Sequence, residues 1–140
     1  MAARSKARKR AVDVLYEADV RGDDRLAVLR DRIETANPPV PEHTVRLVEG
    51  VAEHSARIDE LIAAHANNWS LDRLPDVDRA ILRMAVFELL WADDVPDLVV
   101  IDEAVELAKA LSTDDSPAYV NGVLGAILAA EVPTQGLPNA

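Results

Sequence analysis

Arg4, Lys6, Arg8, Lys9 and Arg10 place five positive charges in the first ten residues, with no carboxylate among them. From Ala11 to Ala140 the balance reverses, so a whole-chain charge of −10 divides into about +5 and −15. Clustered cations hold phosphates without catalysing anything, and a polyanion repelled by most of this surface would be drawn to one end of it. Two tyrosines add a second kind of chemistry. Tyr16 follows the basic arm and Tyr119 follows the acidic pair Asp114-Asp115. A phenol ring can stack on an unpaired base while its hydroxyl stays wet, which suits single-stranded RNA. Packing inside the protein is the competing use of either ring.

Catalytic and metal-binding patterns are weak. His43, His54 and His65 are eleven residues apart, so on one helix each step climbs about 16 Å and the three cannot share a metal. They read as surface or interface histidines. The pairs Asp23-Asp24, Asp93-Asp94 and Asp114-Asp115 fall between helical segments, where capping and turn formation account for them. Gly122-x-x-Gly125 lies in an apolar segment with no cation beside it, which points to tight helix packing rather than a phosphate clamp. No zinc-protease motif, Gly-rich phosphate loop or nucleophile elbow is present.

The elements that would position these residues are all helical. Ala7, Ala11, Val14, Leu15 and Ala18 recur at helical period, predicting a helix from about Ser5 to Val20 with the basic cluster on its first turns. The helix macrodipole disfavours cations there, and Arg4/Arg8 and Lys6/Arg10 are like charges four apart. That first turn is expected to fray in the free protein and to order when phosphates neutralise it. An ordinary solubilising N-terminus is the alternative. A second helix carries Leu26, Leu29 and Ile33, capped by Asp23 or Asp24, and ends before Asn37-Pro38-Pro39-Val40-Pro41. A long third helix is expected from Glu42 to Ala66, with Gly50 permitting a bend or close approach. The segment Asn67 to Asp76 is irregular or holds one short turn. Helices follow over Val77–Ala92, Leu98–Leu111 and Pro117–Ala130, the last capped by Asp115 or Ser116. The Val77–Ala92 helix is apolar over a wide arc and should be central, and Trp69, Trp91 and Phe87 read as packing residues. No period-two alternation appears, so the fold class is all-α.

At 140 residues the chain suits one domain, long enough to bury about two thirds of its unfolded surface. It has no cysteine, which excludes disulfides and thiolate metal sites and fits a reducing compartment. Asp13, Glu17 and Asp19 interrupt the apolar stretch a signal peptide needs, and there is no run of 18 apolar residues. A cytoplasmic protein with no membrane contact is expected.

Several blocks together resemble the NusB transcription antitermination factors. They are Ala7-Arg8-x-x-Ala11-x-x-x-Leu15-Tyr16; Asp78-Arg79-Ala80-Ile81-Leu82-Arg83 with Glu88-Leu89; Asp94-Val95-Pro96; Ile101-Asp102-Glu103-Ala104-Val105-Glu106-Leu107-Ala108-Lys109; and Tyr119-Val120-Asn121-Gly122-Val123-Leu124. The last two are the most specific. Asp102 stands where Asn is frequent in the family and Tyr119 where Phe is frequent.

The resemblance implies a bundle of about six or seven helices in two packed subdomains, about 5–68 and about 69–131, followed by a short tail 132–140. It implies no enzymatic activity and no cofactor or metal. It implies binding to the boxA sequence of nascent ribosomal RNA together with NusE, a small-subunit ribosomal protein. That complex would join RNA polymerase with other Nus factors and suppress premature termination. Carried over by position, Arg4, Lys6, Arg8, Lys9, Arg10, Tyr16 and Tyr119 would contact RNA, and Glu88 and Asp115 would lie on or near the NusE-facing surface. Glu88 on an otherwise apolar helix face needs an explanation in any case.

Two other classes compete. NusB-like helices also occur fused to ribosomal RNA cytosine-5 methyltransferases, but 140 residues leave no room for that catalytic domain and its cysteines are missing. A pure protein-interaction module is the stronger rival, since an acidic helical surface can dock basic partners. A homodimer also stays open, because a second copy could close an apolar face.

Overall fold

The computed structural model describes residues 3–66 and 70–131. Within them lie seven α-helices and no strand: α1 (Ala3–Arg21), α2 (Arg25–Thr35), α3 (Glu42–Glu53), α4 (Ser55–His65), α5 (Asp76–Trp91), α6 (Asp97–Leu111) and α7 (Ser116–Glu131). A single 3-10 turn, Leu71–Arg73, precedes α5. Trp69 and the expected tail lie outside the described residues.

Local chemistry sets most boundaries. Gly22 takes φ +70°, a left-handed conformation that stops α1 where a side chain would be strained. The Asp24 carboxylate then accepts the Ala27 N–H at 3.0 Å and caps α2. Pro41, Pro75 and Pro96 stand just before α3, α5 and α6.

The expected long third helix is two helices. At His54 the backbone turns to φ −107°, ψ 19°, ending α3 and starting α4. The His54 ring stacks on Trp91, with centroids 4.1 Å apart and planes 12° apart. Leu47, Val48 and Val51 on α3 and Ile58, Leu61 and Ile62 on α4 keep one helical phase, so period alone could not reveal the break.

α5 is the central helix, packed against α1, α3, α4, α6 and α7, and only its last two residues escape burial after Val77. α1 runs antiparallel to it. Arg8 meets Glu88 near one end, and the Arg79 guanidinium donates to Asp19 at 2.8 Å near the other. α6 returns along α5, bringing Glu103 beside Arg8 and Ser112 beside Asp78. One contiguous apolar core results, from Ala11 and Leu15 through Ile81, Leu82 and Met84 to Leu124 and Ile127. Burying such side chains contributes about 1.5–3 kcal/mol each before entropy is counted.

Gly122 and Gly125 correct the sequence expectation. Both are exposed, and a Cβ added at either would meet nothing within 4 Å. α7 buries Val120, Val123, Leu124 and Ile127 on its opposite side, so tight packing does not explain the pair, and nothing else in the structure does.

Candidate nucleic-acid interface

Helical geometry divides the basic arm in two. Residues 4 and 8 share the angular position of Ala7, Ala11 and Leu15, the face that α1 turns toward the bundle, whereas Lys6 and Lys9 point away from it and Arg10 lies on its flank.

Arg8 is 3 % exposed and Glu88 is 1 % exposed. The Arg8 Nε donates to Glu88 Oε1 at 2.9 Å and its Nη2 to Glu88 Oε2 at 2.6 Å, while its Nη1 reaches Glu103 Oε1 at 2.8 Å. Ser5 also donates to Glu103. His43 Nε2 lies 3.0 Å from Glu88 Oε2. Burial opposes the Arg8 charge, but the hydrogen bonds and fields of Glu88 and Glu103 outweigh it and hold the guanidinium above its ordinary value. Burial lowers the His43 imidazole, against the bond to Glu88. A neutral ring donating through Nε2–H satisfies that geometry.

Two of the expected contact residues are engaged internally. Arg8 is enclosed by the carboxylates of Glu88 and Glu103. The Glu88 carboxylate is engaged inside the protein, and its place on an apolar face is explained by Arg8 and His43. The first turn of α1 is helical from Ala3, with Arg4 and Arg8 neutralised by the protein's own acids.

Arg4 occupies an intermediate place. Its Nη2 donates to Asp94 Oδ2 at 3.1 Å, both side chains about half exposed, and Arg46 donates to the same carboxylate at 2.7 Å. Arg46 and then Arg4 hold the Asp94 carboxyl well below the usual carboxylate range. Lys6 and Lys9 are exposed and Arg10 is half-buried. Lys9 comes only within 4.0 Å of Asp13, and neither Lys6 nor Arg10 has an ion-pair partner among the described residues. Tyr16 is 39 % exposed on the same outer side of α1.

Tyr119 lies elsewhere. Its hydroxyl donates to the Ala66 carbonyl at 3.0 Å rather than remaining wet, and burial followed by the charge of Asp78 raises its pKa. Its ring borders a cavity of about 400 Å³ shared with Leu74, Pro75, Asp78 and exposed Asp115. Asp78 is buried and accepts from Ser112 Oγ at 2.6 Å and Ser116 Oγ at 2.8 Å. Asp78 opens α5 and Glu88 nears its end, ten residues or about 15 Å away. The arm and Tyr119 thus stand toward opposite ends of the central helix.

Sequence reasoning missed Glu103, His43 and Asp94 as partners of the arm. It also missed Thr44, whose buried hydroxyl donates to the Ala7 carbonyl at 2.8 Å. A signal existed for Arg8, which sits three before Ala11 and seven before Leu15 on the apolar stripe.

The NusB family pattern matches residues 5–129 of the chain. The chain belongs to the NusB family. It is similar to the transcription antitermination protein NusB of Saccharopolyspora erythraea, 64 % identical over 129 residues that cover 91 % of this chain and 87 % of the relative. The NusB of Streptomyces avermitilis is 59 % identical over 130 residues, covering 89 % and 90 %. Among solved structures, T. maritima NusB superposes with a TM-score of 0.80 at 34 % identity over 90 % of each chain. A crystal structure of the antitermination factors NusB and NusE in complex with dsRNA gives 0.78 at 32 % identity, covering 91 % of this chain and 96 % of that one. The seven-helix architecture is thus that of NusB proteins. No helix among the described residues is long and apolar enough to cross a membrane.

Proposed function

We propose that this chain is a non-catalytic transcription antitermination factor that binds boxA single-stranded RNA of nascent ribosomal transcripts together with NusE. In this reading it joins RNA polymerase and other Nus factors and supports processive ribosomal RNA transcription. Its relatives carry the antitermination name, and a structure 32 % identical to it is a NusB held with NusE and dsRNA.

The observation that carries the RNA reading is the division of the arm. Lys6 and Lys9 face away from the bundle and Arg10 flanks it, on a protein whose net charge is −10, and the carboxylates that neutralise Arg8 do not reach them. They supply the phosphate attraction, with Arg4 joining when it leaves Asp94. Tyr16 offers a stacking surface beside them. Tyr119 stands at the far end of α5, next to Asp115, so a strand that reaches from the arm to it runs at least about 15 Å along the bundle. Phosphate contacts position the strand and stacked bases add sequence preference.

Equilibrium binding of boxA RNA, a scrambled single strand and a duplex, each across salt and with or without NusE, tests this. Neutralising three or four phosphates gives a slope of about −2 to −3 in log affinity against log salt for a single strand. A flat salt response removes the arm from the mechanism, and tighter duplex binding overturns the single-strand reading.

A further inference from the structure

Between α3 and α5 an open groove of about 490 Å³ has an apolar floor formed by Val40, Val45 and Phe87. Its rim carries Glu42, Glu49 and Glu53, all exposed. The only cation in the lining, Arg46, is directed to Asp94. Among the described residues Glu42 and Glu49 have no ion-pair partner, and the nearest to Glu53 is His54 Nε2 at 3.9 Å.

Two features of α3 run against its own stability. Glu49 and Glu53 are like charges four apart on one helix face. Glu53 also sits in the last turn, where the macrodipole disfavours an anion. A cation lying along the groove would relieve both. Gly50 shapes the floor: a Cβ there would stand 2.2 Å from the Phe87 ring carbons Cε1 and Cζ. The bare backbone therefore lets the ring lie against α3 and leaves the groove open above it.

We propose that this groove docks a Lys- or Arg-rich protein segment that inserts one apolar side chain against Phe87. Charge complementarity selects that occupant: the rim repels nucleic acid, and a second copy of a chain of charge −10 would meet it with mostly like sign. The inference rests on the groove and is independent of the RNA reading.

The test is an NMR titration of the isotope-labelled full chain with a short lysine-rich peptide bearing one central leucine, beside the same peptide with serine in that place. Amide shifts are expected over Val40–Glu53 and at Phe87 and Trp91, and the serine peptide binds more weakly. Glu49→Gln with Glu53→Gln keeps the helix and is expected to weaken binding about tenfold. Three results each overturn the proposal: shifts spread evenly over other acidic sites such as Asp23 and Asp114; undiminished binding by the double variant; or a dimer in sedimentation that occupies the groove and excludes the peptide. The double variant should bind boxA RNA as the parent does, whereas Lys6→Glu with Arg10→Glu should lose RNA and keep the peptide, so failure of either reading is read separately.

Discussion

Arg8 and Glu88, eighty residues apart in the chain, meet through three charge-assisted hydrogen bonds of 2.6 to 3.2 Å with both side chains withdrawn from solvent. Breaking one side of such a pair leaves an uncompensated buried charge, whereas replacing both sides with apolar groups is far milder. Arg8→Ala is expected to lower unfolding free energy by about 3–5 kcal/mol in urea titrations. Arg8→Met combined with Glu88→Leu should recover most of that loss. Equal losses in the single and double variants would remove the pair from its structural role.

Outward-facing cations should behave in the opposite way. Lys6→Ala and Arg10→Ala are expected to change stability by less than about 0.5 kcal/mol. Each should reduce the RNA salt slope by about 0.7. Measuring the slope for each variant alongside its urea midpoint separates these residues from Arg8.

The His43 contact gives a pH dependence with a defined sign. Burial, opposed by Glu88 and reinforced by Arg4 and Arg8, holds the folded imidazole below its ordinary value. The unfolded chain therefore takes up the proton more readily. This contribution to stability is complete above about pH 6.5 and is lost as pH falls from there through the lowered folded value. His43→Gln retains an N–H donor for Glu88 but cannot titrate. Thermal melts over that window should show a steeper fall for the parent than for the variant.

Gly50→Ala would force the Phe87 ring aside within a packed core. Overpacking of this kind costs about 1–3 kcal/mol, and Phe87→Leu in the same chain should relieve part of it. Additive losses in the double variant would show that the two positions do not contend for the same space.

Tyr119 separates stacking from hydrogen bonding. Tyr119→Phe should cost about 0.5–1.5 kcal/mol of stability through the bond to the Ala66 carbonyl while keeping RNA affinity. Tyr119→Ala should weaken boxA more than a scrambled strand, and an equal effect on both would show that its ring reads no sequence.

Much of the architecture was legible because helical period, Gly22, Asp24 and the prolines before α3, α5 and α6 act locally. The break at His54 was not, because the apolar pattern continues in phase across it and the ring that His54 stacks on, Trp91, lies thirty-seven positions later. The cationic arm was legible as a cluster but not as two populations. Charge counts treat Arg8 and Lys6 alike, and only the position of each around the helix, together with acids from α5 and α6, distinguishes an internal anchor from an open contact. Glu88 was flagged by its apolar neighbours, yet its partner lay too far along the chain to be paired by spacing.

The closure of α1 against residues from the second half of the chain also orders events during synthesis. Arg8 requires Glu88 and Glu103, and Asp19 requires Arg79, so the first helix made has no complete berth until α6 has emerged from the ribosome. Until then α1 can already pack on α2 and α3, where Thr44 donates to the Ala7 carbonyl, but Arg8 waits without the carboxylates that enclose it.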